Sequence, residues 1–341
     1  MTLHRQIATV RSVAVWDDDV QQVETEYGAA VNYVGLTGLV SEGDSVLLNR
    51  TARVLSLGTG GFDFVMANLS ASDEGKEEAS PGHIIKARYL PSQHSVLTLE
   101  EQDQYAQVWT KPLDGFPVIV GQLHSQLAPA AFALAHAGLR VAYVMTDAAA
   151  LAAGFSKLVR RLREKGILAA TITSGQASGG DFETVTVHSA LIAAKHVAHC
   201  DAAIVIQGPG NAGTGTKYGF SGIEQAAHLN TTAALGCSPV ALARMSDADP
   251  RERHRGVSHH TITSLELTLA PCTVAVPFGT DTSQIPAKHR VVEVAGASDV
   301  LQAMVADGVS VTSMGRSVAE DPLFFAAAAA AGIYAAMLAR K

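Results

Sequence analysis

Short runs rich in Val, Leu and aromatic residues, punctuated by Gly, Asn and Asp, occupy the first ninety positions of the chain. They predict strands over 7–16, 20–27, 30–34, 45–57 and 62–68, because such side chains fit a pleated, half-buried surface. Gly43-Asp44 and Gly58-Thr-Gly-Gly61 mark turns between them. Residues 70–81 read as a polar surface loop, and 83–90 and 95–99 as further strands. Several short strands with regular turns predict a small β-barrel or sandwich over 1–100. The polar stretch 101–115 reads as a linker.

From residue 116 the rhythm changes. Val/Ile/Ala runs at 117–121, 140–145, 167–173, 202–207, 239–245, 273–277, 289–294 and 309–312 alternate with helical, alanine-rich stretches at 127–137, 149–163, 184–199 and 221–235. Apolar strands separated by helices predict a parallel sheet covered on both faces. The expected fold is α/β: an N-terminal small β-barrel-like domain, then a Rossmann-like three-layer α/β/α domain over 116–341 with a mostly parallel sheet. The run 322–338 is almost uncharged but dominated by alanine, a strong helix former of weak hydrophobicity. It reads as a helix packed on the domain or in a subunit interface rather than as a membrane span.

Composition narrows the function. Hydrophobic residues are 48% and charged residues 17% of the chain, which favours a large core over disorder. A net charge of −7 argues against a nucleic-acid binder, which needs a broad basic surface. Cys200, Cys237 and Cys272 are widely spaced in apolar surroundings, as reduced core residues are. Residues 1–17 lack the pattern of a signal peptide, so the expectation is a cytoplasmic protein.

Against this background Arg251-Glu-Arg-His-Arg-Gly-Val-Ser-His-His260 packs three guanidinium groups and three imidazoles into ten residues. Like charges repel unless an anion or acidic partner sits among them, so the segment predicts a bound anion. Pairing with Asp249 and Glu252, giving a solvated loop or a subunit contact, is the bland alternative.

Position along the predicted sheet adds weight. Ligands of doubly wound sheets bind beyond the carboxyl ends of the strands. The predicted strand ends carry His124 and Ser125, then Asp147, then Gln176 and Asp181, then a glycine-rich loop, and finally the arginine–histidine segment. In the glycine loop, Gly208, Gly210, Asn211, Gly213, Thr214 and Lys217 could cradle an anion, with the following helix adding its dipole. The order required of a Walker loop is absent, and as a dinucleotide fingerprint the loop is weak. A tight turn needing positive φ is its competing explanation. Arg253, Arg255, His260 and Arg316 complete the expected anion pocket. His259 and His124 are the candidate proton-transfer groups, with Asp147 orienting His124. Ser125 lies outside any nucleophile elbow. No metal ligands are assigned, because no His-Glu-x-x-His spacing exists and adjacent histidines do not generally face one ion. No cofactor is assigned.

The stretches 207–222, 251–260 and 312–316, with 58–62, 86–89, 143–147 and 185–188, resemble an uncharacterised bacterial family, domain of unknown function 3866. The resemblance covers essentially the whole chain and implies that both domains form one unit; it carries no chemistry. The residues themselves point to an enzyme binding a small phosphorylated or carboxylated molecule at the strand ends. A non-catalytic sensor using the same pocket, or a structural homo-oligomer bridged by arginines, are the competing readings.

Overall fold

The computed structural model describes residues 2–58, 60–71, 82–149 and 151–341. The loop expected over 70–81 therefore lies outside the described residues from 72 onward, as do Thr59 of the 58–61 turn and Ala150 of the 149–163 stretch. The chain divides into two compact units, Met1–Pro81 with Ala87–His94, and Gly82–Lys86 with Ser95–Lys341.

The first unit is a closed barrel of five strands: β1 (Arg5–Asp17), β2 (Val20–Thr25), β3 (Gly28–Tyr33), β4 (Ser45–Asn49) and β5 (Asp63–Asn68). Ala8, Val10, Val23, Ala30, Val46, Leu48 and Val65 fill it. The strand expected over 45–57 ends early. After Asn49 the chain turns into the helical segment Thr51–Val54, which sends Arg50 and Arg53 to the buried carboxylate of Asp63.

The second unit holds eight parallel strands: β6 (Pro117–Val120), β7 (Val141–Thr146), β8 (Ala170–Thr173), β9 (Phe182–Glu183), β10 (Ala202–Gln207), β11 (Ser238–Leu242), β12 (Thr273–Pro277) and β13 (Arg290–Val294). Their spatial order is β9-β8-β7-β10-β6-β11-β12-β13. Side chains alternate between two cores, as the pleat requires. Tyr143, Met145, Ile204 and Ile206 pack with helices α1 (Leu127–His136), α2 (Lys157–Glu164), α6 (Ala297–Ala306) and α7 (Pro322–Ala339). Val120, Val144, Ala203 and Val205 pack with α3 (Val187–His196), α4 (Gln225–Ala234) and α5 (His259–Leu267). This is the three-layer Rossmann-like architecture.

Helix α7 is long and apolar enough to cross a membrane, yet 67% of it is buried within the domain. It packs on α1, α6 and the middle of the sheet. Two expectations shift. The run 309–312 does not join the sheet: Thr312–Ser313 pairs instead with Arg316–Ser317, and the short β9 takes the opposite edge. The stretch 101–115 is not a free linker, since Leu113 belongs to the second core and Tyr105 and Trp109 pack against it.

The site is placed by the sheet order. β6 and β10 are neighbours, but β6 leads to α1 on one face and β10 to α4 on the other. Where adjacent connections diverge, a crevice opens at the strand ends.

Candidate functional site

Four buried glutamines, Gln122, Gln126, Gln207 and Gln225, stitch the strand ends together beside that crevice. Gln207 Nε2, ending β10, donates to the Gln122 carbonyl at 3.0 Å and to Asn211 Oδ1 at 2.9 Å. Gln126 Oε1 accepts from the amides of Gln122 and Leu123, both at 3.0 Å. Gln225 Nε2 bridges the Val120 and Leu242 carbonyls at 2.7 and 2.9 Å. Strand ends leave backbone groups unpaired, and amide side chains satisfy donor and acceptor alike.

A cleft of about 730 Å³ is lined by residues that follow the same strands. One wall is Leu123, His124 and Ser125, following β6; another is Pro209, Gly210 and Asn211, following β10. The remaining walls are Lys157 and Arg161, one turn apart on α2, and the segment 310–314. Ser156 caps α2 by accepting the Val159 amide at 3.1 Å. Asn211 Oδ1 accepts three hydrogen bonds, from Gln207 Nε2, Ser221 Oγ at 2.8 Å and the Gly222 amide at 3.2 Å. That fixes the amide and leaves its NH2 as the donor a ligand would meet.

His124 is bonded on both ring nitrogens. Tyr143 lies 3.3 Å from both Nδ1 of His124 and the Gln207 carbonyl. The carbonyl can only accept, so the phenol donates to it and receives the Nδ1 proton of His124. Nε2 then carries the lone pair and accepts from the Ser156 hydroxyl at 2.7 Å. Burial pushes His124 down to about 4, so the ring is neutral near pH 7.

The sequence-predicted residues separate into three places. His124, Gly210 and Asn211 line the cleft. Asp147 does not orient His124: it is exposed, and its carboxylate accepts the Gln176 amide at 2.9 Å in the turn after β8. Asp181 accepts the Thr171 amide at 2.8 Å and pairs with Arg163, a sheet-edge role. The glycine loop does not run into a helix N-terminus as expected. It folds back as a hairpin, with Thr214 N donating to the Gly219 carbonyl at 2.8 Å and Ser221 N to that of Ala212 at 2.9 Å. Gly210 and Gly215 sit at φ 105° and 80°, so the turn explanation accounts for these two glycines. Gly213 pairs with Phe220 across the hairpin, and Gly208 follows β10 directly. Thr214 bonds within the tip, and Lys217 is held by Glu266 at 2.8 Å rather than presented to a phosphate.

The arginine–histidine segment forms a third place. Asp249, fully buried, accepts from Arg251 through Nε at 2.9 Å and Nη2 at 2.8 Å, and pairs with Arg244 and Arg316 at 3.4 Å each. Arg316 also bonds Asp321 at 2.9 Å, and Arg255 Nε donates to the Asp249 carbonyl at 3.1 Å. Burial alone would raise the Asp249 carboxyl, but the bonds and charge of Arg251 hold it well below the usual range. Arg251 and Arg316 are thus neutralised from within, as the bland alternative foresaw for Arg251. Arg253 is exposed against the hairpin, its Nη2 about 3.6 Å from where a Cβ on Gly215 would stand. His259 and His260 cluster with His254, and Phe220 stacks on His260 at 3.7 Å.

Sequence reasoning missed Ser156, Lys157, Arg161, Tyr143 and Arg244. The motif Ser156-Lys-Leu-Val-Arg-Arg161 does carry a signal: a capping serine followed by cations spaced i, i+4 on one helical face. The cysteines are free and buried, with thiols pushed up by burial to about 11 for Cys200 and about 12 for Cys237 and Cys272, which disfavours the nucleophilic thiolate. Comparison with curated proteins and with solved structures returns no match. The family model described as protein of unknown function (DUF3866) matches residues 29–332, and the chain belongs to that family.

Proposed function

We propose that this protein is an enzyme acting on a small phosphorylated or carboxylated molecule, bound at the strand C-terminal ends in the His124 cleft. The observation that carries this reading is the pairing of Lys157 and Arg161 with a fixed Asn211 amide around one crevice of about 730 Å³. Lys157, at the positive end of α2, and Arg161, one turn on and 3.6 Å from Glu164, together suit an oxyanion. His124 stands beside them neutral, with its Nε2 lone pair directed at a hydroxyl. Such an imidazole accepts a proton from an acidified group and returns it to a leaving one. The anion pocket sits on α2 and the β10 loop, not on Arg253, Arg255 and Arg316.

One observation favours the non-catalytic alternative: both nitrogens of His124 are engaged, so proton transfer requires Ser156 to yield its hydrogen bond. A thermal-shift screen with inorganic phosphate, sugar phosphates and short carboxylates separates the cases. A hit in the intact protein, lost in Arg161→Ala and retained in His124→Gln, supports the cleft. Turnover of that ligand by the parent but not by His124→Gln supports an enzyme. No stabilisation by any of these anions sinks both.

A further inference from the structure

His254, His259 and His260 converge although two of them are adjacent in sequence. One ring nitrogen from each lies within 4.8 Å of the others, and the ring centroids are 4.9, 4.9 and 4.3 Å apart. Local structure brings this about. His254 ends the turn Glu252–His254, while Ser258 caps α5 and places His259 and His260 in its first turn. Phe220, stacked flat on His260, sets that ring.

Three imidazoles packed together need a reason, because a buried nitrogen without a partner costs about 1–3 kcal/mol. His254 is 1% and His260 6% exposed, and Nε2 of His259 is buried with no hydrogen-bond partner among the described residues. Nδ1 of His254 is held by Ser258 Oγ at 2.7 Å, the kind of outer partner that orients a ligating ring. A neutral imidazole with an unpartnered ring nitrogen is the form that binds metal.

We propose that His254, His259 and His260 form a three-histidine site for a divalent transition ion of the zinc class, with a further coordination position open to water or an oxyanion. Imidazole ligands suit zinc, cobalt, nickel and copper, whereas magnesium and calcium require oxygen. Tetrahedral zinc with bonds of about 2.0–2.1 Å brings ligand atoms about 3.3 Å apart, within reach of small side-chain rotations. The positive surroundings shape the site rather than forbid it. Asp249 neutralises Arg251, and exposed Arg253 draws an anion to the open position. Arg244 Nη1, 3.2 Å from Nδ1 of His260, can only donate, so an ion competes with it for that ring. Asp249 Oδ2, 3.4 Å from Arg244 Nη2, is placed to keep the displaced guanidinium paired. None of these three histidines lines the His124 cleft, and the site does not depend on that cleft's function.

The full-length protein, stripped with a chelator and dialysed, is titrated with cobalt(II) and read by visible absorption. The expected result is one cobalt per chain with the intense bands of a four- or five-coordinate ion, displaced by zinc and unaffected by magnesium. His259→Ala, at the least buried of the three, loses those bands while keeping the parent circular dichroism. His259→Cys, which supplies a thiolate, retains an ion with a shifted spectrum. His188→Ala, an exposed histidine elsewhere, behaves as the parent. Absence of stoichiometric cobalt in the parent overturns the proposal. So does a His259→Ala protein that binds with the parent's spectrum and affinity, because the chain's 13 histidines would then be binding adventitiously.

Discussion

Stability should fall as acid titrates the half-buried imidazole of His124. Its pKa in the native protein is about 4, against an ordinary value of 6.5. Between these values the unfolded chain binds a proton that the native state refuses. Stability is therefore complete above 6.5 and declines toward 4, by about 1.4 kcal/mol per pH unit for one such proton. Asp249 acts lower on the scale: its carboxyl is depressed from 3.8, so its contribution is intact above that value and lost below it. Urea midpoints measured between pH 7 and 4 should show a shallower decline in His124→Gln than in the parent; an identical slope would contradict the neutral assignment. The position of His124 was legible in the sequence, because a polar residue after the first strand of such a sheet faces the crevice. Its partners were not. Ser156 and Tyr143 lie 32 and 19 residues away and reach it only through folding. Asp147, the expected partner, carries the same charge in sequence but points into a turn. Among the arginines, residue type was visible while Asp249 decided which remained available.

At the scale of elements, α7 shows what alanine does in this fold. Its small side chains let it lie against α1 and the sheet, and Gly332 marks a close approach to α1. A Cβ there would stand 2.5 Å from the Ala130 carbonyl oxygen and 2.6 Å from the Ala133 Cβ. Alanine would gain about 1 kcal/mol of helix propensity over glycine. Overpacking of this kind costs about 1–3 kcal/mol, and backbone on the opposing helix cannot swing aside as a side chain can. Gly332→Ala is thus expected to melt lower than the parent by about 2–6 °C, read by differential scanning calorimetry. A higher melting temperature would mean that α1 and α7 are less closely packed than described. The helix itself was readable from 322–338, as were the strands β6, β10 and β12, since continuous Val/Ile/Ala runs leave little choice. The run 309–312 misled for a physical reason: Val309 and Val311 bury themselves in the first core without joining a ladder. The two-residue β9 is too short to leave any periodic trace.

For the whole molecule, the boundary between barrel and α/β unit is where composition misled most. A cut near 100 follows the change in strand rhythm, yet Gly82–Lys86 and Ser95–Leu99 belong to the larger unit. Lys86 shows why. Its side chain is fully buried, with Nζ donating to the carbonyls of Ala177 at 2.9 Å and Thr184 at 3.2 Å and pairing with Glu183 at 3.3 Å. A lysine is placed there only because those carbonyls and that carboxylate leave it paired; burial still lowers its pKa, as the largest effect on it. Removing it would strand a carboxylate beside the loop that ends β8. Leu99, 2% exposed, fills part of the second core, and losing a buried leucine costs about 2–5 kcal/mol. A fragment starting at 101 should therefore melt well below one starting at 82, although the two differ only by residues that strand rhythm assigns to the barrel. Equal melting temperatures by circular dichroism would place the boundary back near 100. The larger unit needs its early segments because a parallel sheet pairs strands distant in sequence, so residues far upstream of β6 can still close its edge.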